Sequence, residues 1–145
     1  MSRILIQNGR VVDPSQGLDR VTSMLIENGR IAAYDASPDG CDSVIDARGK
    51  IVAPGFIDLN AQLREPGCEE DETIETGTAA AIAGGFTSLV CLPNTDPPID
   101  TQAGVEFVRQ KAARAGNCNV LVAGCVSKDR AGEELSEIGA LRSEE

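Results

Sequence analysis

The residues of this 145-residue chain best suited to chemistry are Asp58, Asn60 and Gln62, at alternate positions, followed by Arg64 and Glu65. They fall in residues 54–67, which read Pro-Gly-Phe-Ile-Asp-Leu-Asn-Ala-Gln-Leu-Arg-Glu-Pro-Gly, with a Pro-Gly turn signal at each end. Strand side chains repeat with period two, so Asp58, Asn60 and Gln62 are expected on one face, with Phe56, Ile57, Leu59 and Leu63 packing around them. Polar groups on a buried strand are costly unless they do something. At the end of a strand in a parallel sheet or barrel, that pattern reads as a site. The other chemistry-bearing types are sparse. Cys41, Cys68, Cys91, Cys118 and Cys125 are scattered with no Cys-x-x-Cys, and the chain has no histidine. Neither a disulfide frame nor a zinc knuckle is indicated, and Cys91 and Cys125 lie in apolar runs as small buried hydrophobes.

The elements around this stretch change character at residue 54. Before it, Ile4, Ile6, Val11 and Val12 alternate around Asn8-Gly9, which predicts two short strands and a tight turn. Met24-Leu25-Ile26 and Ile31-Ala32-Ala33 flank Asn28-Gly29, the pair a type I′ hairpin needs. Residues 43–46 and 50–53 read as strand, turn, strand. Residues 1–53 are thus expected to form a small β-sandwich segment. After residue 54 the rhythm is strand–helix–strand. Ile74, Thr78, Ala81 and Ile82 share a helical face ended by Gly84-Gly85, and Glu69, Glu70, Asp71 and Glu72 suit the positive end of that helix or a solvated first turn. Residues 87–93 form an apolar strand, with a loop at 94–98. Asp100 or Thr101 can cap a helix striped by Val105, Val108, Ala112 and Ala115 and stopped by Gly116. Residues 119–126 predict a third strand, 127–132 a loop, and 133–141 the start of another helix. Three such units in order are the beginning of a (β/α)8 TIM-type barrel, so residues 54–145 are expected to be its first part. A closed barrel needs eight units and about 250 residues. The chain is therefore expected to be the N-terminal part of a longer protein.

Net charge is −10 without a basic run, which argues against nucleic acid or an anionic membrane surface as partner. No apolar run approaches the roughly 20 residues of a membrane span, and the first residues do not read as a signal peptide. Unpaired cysteines fit a reducing, cytoplasmic setting.

The 54–67 stretch resembles the first barrel strand of the dihydroorotases, cyclic-amide hydrolases of the amidohydrolase superfamily, whose pattern is Asp-x-His-x-His-x-Arg-x-Pro-Gly. Asp58, Arg64, Pro66 and Gly67 match; the two zinc-binding histidines of the pattern are Asn60 and Gln62 here. The likeness extends through Glu72-Thr73-Ile74-Glu75-Thr76-Gly77-Thr78, Gly84-Gly85-Phe86-Thr87 and Pro93-Asn94-Thr95-x-Pro97. It implies a role in pyrimidine biosynthesis, where the family interconverts N-carbamoyl-L-aspartate and dihydroorotate using zinc. It also implies that Arg64 and Asn94 hold the substrate carboxylate. Amide oxygens at Asn60 and Gln62 are hard, neutral ligands, better matched to calcium or magnesium than to zinc. No zinc, no other cofactor and no catalytic residue is therefore expected in this chain. The resemblance is then to the non-catalytic homologues that serve as structural partners of aspartate carbamoyltransferase. An active cyclic-amide hydrolase with an altered metal site and a non-functional fragment are the alternatives. For Arg64 a pairing with a nearby acid, for Asn94 a turn before Thr95, and for Asp58 a purely structural hydrogen bond stand beside the functional readings.

Overall fold

The computed structural model describes residues 2–142, which separate into two compact units divided after Pro54. The first unit is a mixed sheet. Its central strand β1 (Arg3–Asp13) pairs antiparallel with β2 (Leu18–Glu27), and β2 pairs antiparallel with β3 (Arg30–Tyr34). Asn28 and Gly29 both adopt positive φ in the β2–β3 turn, as the hairpin requires. The segments β4 (Ser43–Asp46) and β5 (Ile51–Val52) do not fold back on each other. They lie in succession along β1, both parallel to it.

Residues 3–12 depart from the expected pair of short strands. They form part of one strand, because the Asn8-Gly9 pair makes a bulge in place of a turn. The β1–β2 register slips between Ile6 and Gly9, and Asn8 takes φ 64°. Gly9 is required there: a Cβ would come within 2.9 Å of both Ala47 and Val52 side chains. Leu5, Val11, Met24, Leu25 and Ala47 are buried in this unit. The described residues of the unit form one sheet, so the sandwich segment of the sequence reading is present as a single layer.

The second unit is a parallel sheet in the order β6 (Phe56–Ala61), β7 (Phe86–Cys91), β8 (Asn119–Val122), joined by helices α1 (Ile74–Ala83) and α2 (Gln102–Ala115). Thr73 caps α1 in a reciprocal capping box with Thr76, and Thr101 caps α2 by accepting from the Gly104 amide. The acids Glu69, Glu70, Asp71 and Glu72 therefore precede the helix, leaving Glu75 as the acid of its first turn. Gly116, at φ 64°, ends α2 as expected. Leu63, Ile74, Leu89, Cys91, Ile99, Val105, Val108 and Ala112 form one apolar core between the helices and the sheet.

The third strand is shorter than residues 119–126 predicted. Beyond Val122 the chain leaves the ladder: Ala123 N–H donates to Cys91 O and Cys125 N–H to Ile99 O. The helix expected from residue 133 begins only at Ile138, as α3 (Ile138–Arg142), because Leu135 forms an isolated bridge to Ser127 and the Ser136 hydroxyl donates to Cys125 O. No helix of the described residues is long and apolar enough to cross a membrane.

Candidate functional site

The site is built at the C-terminal end of β6 and β7. Strand β6 contains a bulge that decides which side chains face together. Asp58 pairs with Leu89, yet Ala61 pairs with Cys91, so β6 spends one more residue than β7 over this interval. The Asp58 carboxylate accepts from the Asn60 amide at 2.9 Å, satisfying a donor near this irregularity. Leu89 and Cys91 are both core residues. Their partners Asp58 and Ala61 thus take the helix-facing side, and Asp58 does not share a face with Asn60 and Gln62. The expected set of three is broken by the extra residue.

A different set replaces it. From residue 60 onward the alternation is regular: Ala61 packs on the core, Leu63 and Glu65 are each 3 % exposed, and Asn60, Gln62 and Arg64 between them are exposed. Asn60 and Gln62 therefore share the side away from the helices, while Arg64, beyond the strand end at φ 59°, is exposed in the loop that follows. Of the apolar residues expected to pack around the polar ones, only Leu63 is buried. Phe56, Ile57 and Leu59 are 61 to 72 % exposed; Phe56 keeps one aromatic contact, to Phe86, with ring centres 5.6 Å apart.

Asn94 reaches the same end of the sheet by the parallel pairing. Ala61 stands beside Cys91, and Leu92 N–H donates to Ala61 O at 2.9 Å, so Arg64 and Asn94 each follow three residues after a matched pair. Two contacts then join their loops. Asp96 N–H donates to Pro66 O at 3.0 Å, and Gly67, at φ 104°, packs so closely on Asp96 that a Cβ would lie 2.2 Å from its carbonyl oxygen. Thr95, through its hydroxyl donating to Pro97 O at 2.8 Å, satisfies the turn that Asn94 was an alternative candidate for. Among the described residues, Arg64 makes no ion pair, and the side chains of Asn60, Gln62 and Asn94 make no hydrogen bond.

Glu65, which the sequence marks only as the acid just past the strand end beside Arg64, turns inward and is buried. Its carboxylate accepts from the Ile74 amide at 2.8 Å, at the start of α1, and lies 2.7 Å from Lys111 Nζ on α2. Glu69 accepts from the Gly67 amide at 3.1 Å, and that bond holds its carboxyl below the usual range. A hollow of about 900 Å³ lies elsewhere in the unit. It runs along β8 and α3, lined by residues such as Leu121, Val126, Ile138 and Leu141, and includes neither Arg64 nor Asn94. Its polar lining residues are Ser88, Arg109, Asn119 and Arg142.

A parallel sheet carrying its polar side chains and loops at the strand C-termini is the layout of the hydantoinase-type barrel hydrolases. The chain superposes on L-hydantoinase from Arthrobacter aurescens with a TM-score of 0.69 at 24 % identity, over 88 % of this chain and 28 % of that one. D-hydantoinase from Thermus sp. gives a TM-score of 0.67 at 25 % identity, over 97 % and 30 %. These define the fold as an α/β-barrel architecture present in part.

Sequence relationships are more specific. Residues 49–145 match the dihydro-orotase-like family, and the chain belongs to it. It is 47 % identical over 142 residues to a dihydroorotase of Pelobacter propionicus, covering 96 % of this chain and 33 % of that protein. A dihydroorotase of Ruminiclostridium cellulolyticum is 49 % identical (97 % and 33 %), and one of Aquifex aeolicus 43 % (98 % and 34 %). The chain spans about a third of the length of the curated relatives it matches.

Proposed function

We propose that this chain belongs to a non-catalytic dihydroorotase homologue of pyrimidine biosynthesis that acts in the cytoplasm as a structural partner of aspartate carbamoyltransferase. The observation that carries this reading is the pair Asn60 and Gln62 on the exposed side of β6, where the family pattern has two histidines. The donor set does not fit zinc. Zinc takes thiolate, imidazole and carboxylate ligands, whereas Asn60 and Gln62 offer neutral amide oxygens. Asp58 faces the other way with one oxygen accepting from the Asn60 backbone N–H. No group of three or more His, Cys, Asp or Glu suited to a metal occurs among the described residues. Hydrolysis in this family depends on the metal to activate water and polarise the carbonyl, so no hydrolytic step is assigned to this chain.

Arg64 and Asn94 support retained binding of a carboxylate from dihydroorotate or N-carbamoyl-L-aspartate. A guanidinium free of ion pairs presents a planar fork matched to a carboxylate, and an amide adds a donor beside it. The partnership with aspartate carbamoyltransferase rests on the resemblance to the non-catalytic homologues. The test uses the full protein as expressed from its gene. The expected result is no turnover of dihydroorotate, substoichiometric zinc, and loss of aspartate carbamoyltransferase assembly when the gene is deleted. Bound zinc at about one ion per chain, or turnover abolished by a chelator, would overturn the non-catalytic reading. Unchanged carbamoyltransferase assembly would overturn the partnership.

A further inference from the structure

We infer that Glu65 is a positioning residue for Arg64: its buried carboxylate, tied to the start of α1 and to Lys111, sets the backbone that presents the guanidinium. The inference rests on the reading of Arg64 as a carboxylate anchor and goes beyond it by naming what holds that anchor in place. Arg64 has φ 59°, a conformation that a residue with a Cβ adopts only when its surroundings hold it there. The residue that follows it is held through both its backbone and its side chain. Glu65 N–H donates to Leu63 O at 2.7 Å, and its side chain is 4 % exposed. One carboxylate oxygen takes the Ile74 amide and the other takes Lys111 Nζ, so both are engaged from two helices. Lys111 in turn lies 5.5 Å from the centre of the Phe107 ring, which limits its freedom to follow a displaced partner. On the far side, Arg64 O accepts from Cys68 N–H at 3.0 Å. A side chain turned inward at 65 and a left-handed residue at 64 are two ends of one constraint: the backbone bonds on either side of Arg64 close the turn, and the buried Glu65 carboxylate ties that turn to α1 and α2.

A purely structural staple would have the same contacts, so the experiment separates the two roles through Arg64. Dihydroorotate is titrated calorimetrically into the full chain, with Glu65→Gln made in the natural sequence and in an Arg64→Ala background. Positioning predicts that Glu65→Gln weakens binding by about tenfold to a hundredfold, the loss typical of removing a group that orients a ligand-contacting side chain. In the Arg64→Ala background it should change affinity by less than about twofold, because coupled residues are not additive. The melting temperature should fall alike in both backgrounds. A ligand-free readout accompanies this: the Arg64 φ, followed by NMR couplings, should lose its positive value in Glu65→Gln. If that variant does not fold, Lys111→Met removes one tie from a half-exposed position and is read the same way. Unaltered positive φ at Arg64 in a folded Glu65 or Lys111 variant overturns the inference. Equal affinity losses in both backgrounds also overturn it. Dihydroorotate binding indifferent to Arg64→Ala, or no binding at all, would instead refute the anchor reading, while the NMR measurement still decides the role of Glu65.

Discussion

Gly67→Ala probes the join between the two loops that carry Arg64 and Asn94. An alanine Cβ there would sit 2.2 Å from the Asp96 carbonyl oxygen and 2.6 Å from the Asp96 Cβ. Since ordinary contact begins near 3.4 Å, the 94–97 loop must retreat by about 1 Å, a backbone movement and not a side-chain rotation. That retreat strains the hydrogen bond from Asp96 N–H to Pro66 O, worth about 1 kcal/mol when lost. Positive φ adds about 1–2 kcal/mol for a residue with a Cβ. Overpacking against a fixed backbone contributes roughly 1–3 kcal/mol more. The expected loss is therefore roughly 3 kcal/mol or more, a large effect for one methyl group. Gly132→Ala is the control, because Gly132 also has positive φ (77°) but nothing within 4 Å of its would-be Cβ. It should cost only about 1–2 kcal/mol. Urea unfolding of both variants, followed by circular dichroism, gives the comparison. If Gly67→Ala costs no more than Gly132→Ala, the loops are not packed as described, and the shared placement of Arg64 and Asn94 loses its basis.

Other expectations concern the core, the thiols and acid stability. Ile74→Ala, at a fully buried position that opens α1, should cost roughly 2–5 kcal/mol in the same urea assay; a loss under about 1 kcal/mol would contradict the core assignment. Burial pushes the Cys91 and Cys125 thiols up, so both should resist an aromatic disulfide reagent at about pH 8 until the chain unfolds, while half-buried Cys41 and Cys68 react first. Asp35 is held below the usual carboxylate range by the Thr22 hydroxyl and then Arg20, and Asp46 by the Asn8 side-chain amide and then the Arg48 amide. Their depressed folded pKa values mean that the unfolded chain binds more protons, so this stability is present above about pH 4 and is lost as pH falls further. Thr22→Val should flatten part of that slope in urea titrations; an unchanged slope would refute it.

The sequence disclosed element types better than the places where elements slip. Asn28-Gly29 and Asn8-Gly9 are the same dipeptide, yet one makes a hairpin turn and the other a bulge inside an 11-residue strand. The difference lies outside the local residues: Gly9 admits Ala47 and Val52, which arrive from β5 and the turn before it. The helix stripe of α2 was legible because Val105, Val108 and Ala112 follow its period and Thr101 and Gly116 mark its ends. For the site, a strict count of two from Asp58 put the wrong residue with Asn60 and Gln62. The extra residue on β6 is visible only in the pairing to β7. Glu65 was visible in the sequence beside Arg64, but its burial was not, since an acid in a turn-like sequence is ordinarily solvated. Its burial comes from two helices that fold back over it.

Asn60→His with Gln62→His tests whether the metal-binding positions were lost in type but kept in place. Both residues are exposed, so the exchange should alter stability by less than about 0.5 kcal/mol. Alternate residues that share a side present two imidazoles to one ion, and zinc accepts such nitrogen donors readily. The double variant should therefore gain zinc affinity by at least about tenfold over the natural chain, with each single variant gaining far less. Two ligands do not fill a zinc site, which takes at least three from protein in catalytic centres, so binding should stay weak and activity should not appear in this chain. Affinity should decline as pH falls through about 6.5, because protonated imidazole cannot ligate. Zinc titration by calorimetry across that range measures both effects. If the double variant binds no better than either single one, residues 60 and 62 do not share a side of β6. The bulge would then have a different register from the one that separates them from Asp58.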